Sequence, residues 1–522
     1  MPLTIPYAVR LAGALLAGIL LWLAFPEHNL WWLAPVAVAL LGAVTIDVGG
    51  RHGFVLGLVA GWAFFVPVLS WSGVYVGRFP WFALATLEAL YLGVMCAAVG
   101  FVGQRLRPRR GDGVYAVVPL AWVGQELARG TTPFGGFPWA RLAFSQADSP
   151  LANVAQLLGA PGVTFAVAVI GTLLLMVAVG ARRQPRKAAA LAAVTVAGVV
   201  LPGFMTPSVD GRKVTVALVQ GNVPRAGLDF NAERRAVLDN HVRGTEAVAD
   251  KAAEDLSLVV WPENASDIDP IRNPDAAAQV QRAVSAVGVP VIVGAVLQEP
   301  QPQVSNVSLF YRPGGGEPER YVKNHPVPFA EYIPYRSFFR TFSDKVDLVT
   351  KDFAKGTDLG AFRVDSPSSA YWALPTICFE VAYDGLMRDS VTQPGKEASL
   401  VLVQTNNATF GYTAESEQQF AISRIRAIEH GRSVAHVSTV GVSGFIAPDG
   451  SVTGKTGLFT AEQRIAPVTI RTDRTVSDQL GPWPERLGAV ALLAFVVAAG
   501  LRGRRDRVGR PVSTPPTKDH VD

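Results

Sequence analysis

One cysteine stands where a nucleophile would be well placed. Cys378, one of two cysteines in the chain, ends the apolar run that begins at Tyr371. A thiol at the end of a rigid, buried strand can attack a carbonyl carbon. The turn after the strand presents backbone N–H groups, such as that of Phe379, to the oxyanion that then forms. This placement predicts acyl chemistry through a thioester.

Two other strand-like runs end in ionisable side chains, Glu263 and Lys323. Because ligands bind beyond the carboxyl ends of strands in α/β sheets, these side chains could share a site with Cys378. A free thiol is mostly protonated at neutral pH, so it needs a base or a nearby cation. Glu263 could take the proton, and Lys323 could supply positive charge to the thiolate and the oxyanion. The ordinary alternatives are a packing cysteine, a carboxylate in a solvated turn and a surface lysine.

The segment 207–485 carries all three residues and alternates strand-like with helix-like patterns. Such alternation, followed by hairpins, indicates a layered α/β fold. Gly314–Gly316 is typical of a hairpin turn rather than a phosphate-binding loop. Neither a cofactor motif nor a metal-ligand cluster is evident. The predicted strands are 214–219, 256–261, 290–297, 304–311, 319–323, 370–378, 399–404, 433–438 and 444–447, and the predicted helices are 232–255, 274–287 and 417–430.

The ends of the chain have a different composition. The 522 residues are 49% hydrophobic and 17% charged, and the shortage of charge is concentrated in the flanks. A bilayer needs about 17–25 apolar residues per helix. We predict a multi-pass α-helical membrane domain with eight transmembrane helices, seven within 1–206 and one at 486–502. The predicted spans are 7–25, 30–46, 53–76, 81–102, 114–127, 161–179, 188–205 and 487–501.

Arginine-rich loops alternate with loops that hold few positive charges along the predicted membrane segments. By the positive-inside rule both termini are cytoplasmic, and 207–485 lies outside the cytoplasm. Such short clusters serve topology, so no nucleic-acid partner is expected. The basic tail 503–522 is predicted to be cytoplasmic and disordered. Cys96 falls within the fourth span, which makes a disulfide with Cys378 implausible and indicates inert packing.

Three short motifs carry a family resemblance. Val260–Glu263, Tyr321–Phe329 and Ile377–Glu380 resemble the nitrilase superfamily, whose enzymes use a Glu-Lys-Cys triad on an α-β-β-α sandwich. The membrane flanks narrow the resemblance to the apolipoprotein N-acyltransferase family. The supporting pieces are Gly135–Trp139, Val219–Asn222, Phe329–Pro334, Thr405–Gly411 and Arg424–Gly431.

The resemblance implies a function. Such an enzyme moves an acyl chain from a membrane phospholipid to the N-terminal α-amine of a diacylglyceryl-cysteine in an apolipoprotein, the last step of lipoprotein maturation. The expected route is ping-pong, without a cofactor, in a monomer held in the bacterial plasma membrane with its catalytic domain outside the cytoplasm. A membrane-anchored amidase or nitrilase-type carbon–nitrogen hydrolase, with water as the acceptor, is the alternative.

The resemblance also assigns supporting roles. Glu331 and Glu380 match essential carboxylates of the family, although structural salt bridges are the ordinary alternative. Exposed-looking aromatics could line a lipid entry or simply anchor the protein at the interface. The substrate-contact candidates are Trp139, Tyr332 and Phe410.

The chain departs from the family pattern at three positions. Asn407 and Thr409 stand where an acidic residue and a Trp are usual, and Phe230 stands where a Trp is frequent. These positions are expected in mobile loops that contact the substrates. The departures therefore bear on donor or acceptor preference.

Overall fold

A computed structural model describes residues 6–223, 233–251, 255–366 and 369–508, with the side chains of 107–111 and 503–508 left undescribed. Phe230 and the tail beyond residue 508 lie outside the described residues.

Apolar helices flank the sheets in the described chain. Seven precede the first strand and one follows the last. Six of the eight are long and apolar enough to cross a membrane. The other two, α2 and α5, have 13 residues each, and α5 ends in polar residues that include Glu126. A multi-pass helical part is thus confirmed, with six rather than eight helices of spanning length. The helices are α1 (Tyr7–Ala24), α2 (Leu33–Thr45), α3 (Gly50–Val68), α4 (Arg78–Arg110), α5 (Val117–Arg129), α6 (Ala155–Gly180), α7 (Pro185–Val200) and α14 (Trp483–Val508).

A glycine face brings α3 against α4. Gly53, Gly57 and Gly61 recur every fourth residue, so they lie on one side of α3. A Cβ added at Gly57 would lie 2.3 Å from the carbonyl oxygen of Leu92. Small residues at this spacing allow close backbone approach between membrane helices. Cys96 is buried at this contact, as expected for a packing residue.

The middle of the chain forms two six-stranded sheets in the described residues. The first has the order β12-β1-β2-β3-β4-β5 and the second β11-β10-β9-β8-β7-β6. The strands are β1 (Arg212–Gln220), β2 (Leu256–Val260), β3 (Val291–Leu297), β4 (Ser305–Tyr311), β5 (Glu319–Val322), β6 (Phe362–Val364), β7 (Tyr371–Ile377), β8 (Ser399–Thr405), β9 (Val434–Ser438), β10 (Gly444–Ile446), β11 (Val452–Thr453) and β12 (Glu462–Ile470).

The carboxyl ends of the central strands point the same way within each sheet. Strands β1, β2 and β3 run parallel, as do β7, β8 and β9. Strand β5 has the direction of β3, because each is antiparallel to β4. The strands that precede Glu263 and Lys323 therefore end at one edge of their sheet.

Helices cover the outer faces of the two sheets. The sheets share an apolar core that includes Leu258 and Leu402, while α8 and α9 cover the first sheet. Helix α12 lies on the second sheet and also packs against α6, so the membrane helices join that layer. The predicted α-β-β-α sandwich is confirmed. The helices of this part are α8 (Arg234–Ala249), α9 (Pro274–Val287), α10 (Arg336–Arg340), α11 (Asp384–Val391), α12 (Glu415–His430) and α13 (Val476–Leu480).

Candidate active site

The carboxyl ends of the two sheets bring Glu263, Lys323 and Cys378 to one place. Lys323 Nζ donates to Glu263 Oε1 at 3.2 Å, and both side chains are buried. The two sheets are joined at this point, since Asn406, just after β8, donates its backbone N–H to Glu263 Oε2 at 2.9 Å. Charges on Glu263 and Lys323 both act on the Cys378 thiol. The three predicted residues therefore lie close enough for the charges of Glu263 and Lys323 to affect the thiol of Cys378.

Cys378 adopts a backbone conformation that is unusual for a residue with a side chain. Strand β7 ends at Ile377, and a 3₁₀ turn, Cys378–Ala382, begins at once. Cys378 has φ of 54°, in the left-handed region that costs a non-glycine residue about 1–2 kcal/mol. The first N–H groups of a helical turn have no partner inside it, and Phe379 is one of these residues. The sulfur thus sits at a sharp corner beside backbone donors.

Glu380 holds this corner in place. Its Oε2 accepts the N–H of Ile377 at 2.7 Å, while its Oε1 accepts the N–H groups of Asn324 at 2.5 Å and His325 at 3.1 Å. The hydroxyl of Tyr321 also donates to the same carboxylate. One buried carboxylate therefore ties the strand end before Cys378 to the residues on either side of Lys323.

Glu331 and an unpredicted asparagine surround the lysine. Lys323 Nζ donates to Glu331 Oε1 at 2.9 Å. Asn306 Nδ2 bridges Glu263 Oε1 at 2.7 Å and Glu331 Oε1 at 3.0 Å. The sequence signal for Asn306 is weak, namely an amide inside the apolar run of β4. Glu331 Oε2 accepts the N–H of Val327 at 2.7 Å, which fixes the loop that carries it.

These contacts set the charge states at rest. Burial lowers the pKa of Lys323, but the carboxylates of Glu263 and Glu331 outweigh it and raise that pKa well above its usual value. Burial raises the pKa of Glu263, and the charge of Lys323 only partly opposes this. Burial, with the charge of Glu263, also raises the pKa of the Cys378 thiol despite Lys323. The resting site holds a cationic lysine beside a protonated thiol.

The two departures after β8 lie in different surroundings. Asn407 is buried, and its Nδ2 donates to Glu415 Oε2 at 2.6 Å and to Gln419 Oε1 at 3.0 Å. It is thus part of the packed site rather than of an exposed loop. Thr409 belongs to the 3₁₀ turn Ala408–Phe410 and is half-buried. Glu415 and Gln419 were not predicted, because nothing in the helical pattern of α12 marks them.

Two of the three substrate-contact candidates meet in an aromatic cluster beside the site. Trp139 and Phe410 contact Trp71, with ring centroids 5.5 and 5.0 Å away. Trp139 also stacks on Phe379 at 5.4 Å. Trp139 is buried rather than exposed, and its indole N–H donates to Gln418 Oε1 at 2.8 Å.

Tyr332 stands apart from this cluster. It is half-buried in the loop after Lys323, where its carbonyl accepts the N–H of Phe329 at 2.7 Å. Within the described residues, no group of His, Cys, Asp and Glu side chains could hold a metal ion.

Both halves of the chain match known families. Residues 17–173 match the apolipoprotein N-acyltransferase N-terminal domain, and residues 215–476 match carbon-nitrogen hydrolase. The apolipoprotein N-acyltransferase of Mycolicibacterium smegmatis is 37% identical, over 95% of this chain and 86% of its own length. That of Ralstonia nicotianae is 30% identical, over 97% and 96%. Among solved structures, an amidase from Nesterenkonia sp. has a TM-score of 0.37 and 16% identity, covering 52% of this chain and 94% of its own. Identity of 37% along almost the whole chain, with both halves matched, shows that this chain belongs to the apolipoprotein N-acyltransferase family.

Proposed function

We propose that this membrane protein transfers an acyl chain from a phospholipid to the N-terminal α-amine of the diacylglyceryl-cysteine of apolipoproteins, through a thioester on Cys378. The observation that carries the proposal is the buried contact between Lys323 and Glu263 beside that thiol. Phe137 and Trp139, which reach Phe379 from the loop after α5, support lipid substrates.

In the first half-reaction the sulfur becomes acylated. Glu263 takes the thiol proton as the sulfur attacks the ester carbonyl carbon of the phospholipid. The charge of Lys323 and the N–H of Phe379 stabilise the oxyanion. The carbon–oxygen bond then breaks, and Glu263 returns the proton to the departing lysophospholipid oxygen. The products are a Cys378 thioester and a lysophospholipid.

In the second half-reaction an amine resolves the thioester. An α-amine has a pKa of about 7.7–8.0, so part of it is already neutral near pH 7. Its nitrogen attacks the thioester carbon, and Glu263 removes a proton from that nitrogen. The carbon–sulfur bond breaks, and the proton passes to the sulfur of Cys378. Conversion of a thioester to an amide is downhill, so no nucleotide is needed.

The roles of the remaining predicted residues follow from their partners. Glu331 keeps Lys323 charged and oriented, and Glu380 holds Cys378 and Lys323 at a fixed separation. Trp139 and Phe410 form part of the wall that the acyl chain passes, and Tyr332 borders the entry from the loop side.

We further propose that both termini are cytoplasmic and that the domain 207–485 lies outside the cytoplasm of the plasma membrane, between the membrane domain 1–206 and the helix 486–502. Helix α6 supports this orientation. Its first turns contact the sheet-containing part, where Gly159 lies against Glu429 of α12. Its other end leads into the exposed Arg182 and Arg183. The arginines thus follow the end of α6 that is away from the sheets, which agrees with the positive-inside rule.

Intact mass spectrometry tests the proposal. The purified chain is incubated with phospholipid beside its Cys378→Ala variant. We expect a gain of one acyl chain on the unchanged protein alone, labile to hydroxylamine and discharged by a diacylglyceryl-peptide. Absence of an adduct under conditions in which the peptide is not acylated either would overturn the proposal.

The hydrolase alternative gives a different result in the same experiment. Water would then discharge the adduct, and free fatty acid would accumulate at the same rate with and without the peptide. The apolar wall of Trp71, Trp139 and Phe410 favours a lipid amine over water, because it limits the access of water to the thioester.

A further inference from the structure

The sulfur of Cys378 has a neighbour that the mechanism above does not use. Gln419, on the first turns of α12, is fully buried, and its Nε2 lies 3.7 Å from Cys378 Sγ. An N–H donor can form a hydrogen bond with sulfur at this separation, which is longer than for oxygen because sulfur is larger. Whether Gln419 presents its N–H or its carbonyl to the sulfur depends on what holds the other end of its amide.

A backbone amide fixes that orientation through a relay of side chains. The N–H of Gly441 donates to Ser438 Oγ at 2.8 Å, so the hydroxyl hydrogen of Ser438 is left to point to Asn407 Oδ1, 2.5 Å away. Asn407 must then turn its Nδ2 toward Gln419 Oε1, at 3.0 Å. The Thr405 hydroxyl lies 2.8 Å from the same oxygen, and its single hydrogen can go either there or to the Cys378 sulfur. The N–H of Asn407 is thus the donor that holds the Gln419 oxygen and turns the Gln419 N–H toward the sulfur.

We propose that Gln419 is a further catalytic residue, which donates a hydrogen bond to the Cys378 sulfur, and that Asn407 is the positioning residue that orients it. The proposal rests on the proposed function of Cys378 as the nucleophile. When Glu263 takes the thiol proton, the N–H of Gln419 stabilises the thiolate that forms. It does so again when the amine expels the sulfur from the thioester.

A neutral donor is useful here because of the charges around the sulfur. Glu263 after β2, Lys323 after β5 and Glu415 on α12 are the titratable groups that act on Cys378. Lys323 shares its charge with two carboxylates, Glu263 and Glu331. A donor without charge favours the thiolate and attracts neither carboxylate away from the lysine.

The test is the pH dependence of Cys378 alkylation by iodoacetamide, followed by mass spectrometry in a Cys96→Ala background. Gln419→Met keeps the length of the side chain and removes the donor. We expect the midpoint of alkylation to rise by about one pH unit, since hydrogen bonds to charged groups are stronger than those to neutral groups. Gln419→Glu, which cannot donate once ionised, should raise the midpoint at least as far and covers the case in which the Met variant does not fold.

Gln418→Met is the matched control on the same helix. Gln418 is buried too, but it bonds to Trp71, Trp139 and the carbonyls of Pro26 and Val68, not to the sulfur. Its substitution should lower the melting temperature and leave the alkylation midpoint unchanged. Equal midpoints for the parent and both Gln419 variants, or an equal shift in Gln418→Met, would overturn the proposal.

Alkylation needs no lipid, so the two proposals fail separately. If the Gln419 substitutions shift the alkylation midpoint but the protein never forms a thioester, only the proposed function is wrong. If the protein forms a thioester but the Gln419 substitutions leave the alkylation midpoint unchanged, only this inference is wrong.

Discussion

Three carboxylates lie around the lysine, the buried Glu263 and Glu380 and the partly exposed Glu331, and their partners give them different tasks. Glu263 bonds to Lys323, and its charge also reaches the sulfur of Cys378. Glu331 bonds to the same lysine and to its own loop. Glu380 accepts backbone and tyrosine donors instead. Of the three carboxylates, Glu263 is the one whose charge acts on the Cys378 sulfur, so proton transfer falls to Glu263.

A substitution at Glu380 tests its positioning role. In Glu380→Gln one oxygen becomes an NH₂ group, which must face an N–H donor such as that of Ile377 or Asn324. We expect a loss of about 1–3 kcal/mol in the free energy of unfolding, because a buried donor is left unsatisfied. Thioester formation should slow at least tenfold while the Glu263–Lys323 contact persists. Melting in detergent and the rate of mass gain measure the two effects, and Glu417→Gln, at an exposed ion pair, is the control. Unchanged acylation would show that Glu380 does not position the nucleophile.

The pKa of Glu415 predicts how the rate of thioester formation changes at alkaline pH. Burial raises the pKa of this carboxyl to about 8, so it is neutral at pH 7. Above about pH 8 it ionises, and its negative charge raises the pKa of the Cys378 thiol further. Thioester formation should therefore decline as pH rises through 8, and Glu415→Gln should remove that decline. Single-turnover rates from pH 6 to 9.5 check this. Identical alkaline limbs in the two proteins would contradict it.

At the scale of the elements, strand ends could be predicted and contacts between elements could not. A buried strand is a continuous apolar run, so Glu263, Lys323 and Cys378 stand out where such runs stop. Asn306 lies inside a strand and Gln419 inside a helix, where no local pattern marks them. Their partners are 43 and 41 positions away, which only the fold reveals.

The lengths of the membrane helices were harder to predict than their number. Hydropathy predicts eight spans; six of the helices reach spanning length, while α2 and α5 have 13 residues each. Packing against other helices buries much of α2 and α5. An apolar run therefore marks a buried helix, and the folded chain sets how much of the run is helical.

The close contact of α3 with α4 gives a prediction at this scale. In Gly57→Ala the new Cβ would lie 2.3 Å from the Leu92 carbonyl oxygen and 2.7 Å from Cys96 Cβ, so the helices must separate. We expect a loss of about 1–3 kcal/mol from overpacking. A lower melting temperature in detergent would show it. Gly113→Ala, where an added Cβ meets nothing within 4 Å, should melt like the parent. Equal melting of the two variants would mean that the glycine face does not hold α3 and α4 together.

At the scale of the whole molecule, buried ion pairs join the membrane helices to the sheets. Arg141 bonds to Glu126 of α5, to Asp384 of α11 and to Glu485 of α14. Asp384 also accepts from Arg426 of α12 at 2.6 Å. Burial opposes its charge, but the two arginines hold the pKa of Asp384 well below its usual range. One carboxylate therefore bridges two buried guanidinium groups, one on each side of the junction.

Removal of that charge should loosen the junction and slow the chemistry together. Asp384→Asn removes the carboxylate that Arg141 and Arg426 share, while Arg141 keeps Glu126 and Glu485 and Arg426 keeps Glu429. Breaking a buried pair costs about 3–5 kcal/mol, which is the upper bound for this variant. Asp384 is the first residue of α11, which comes directly after the 3₁₀ turn that begins at Cys378. We therefore expect slower thioester formation as well as a lower melting temperature. Asp148→Asn is the matched control, because the Asp148–Arg424 pair is more exposed and should contribute no more than about 1 kcal/mol. Comparable melting of the two variants would mean that the membrane helices and the sheets are held by apolar packing, with the ion pairs contributing little.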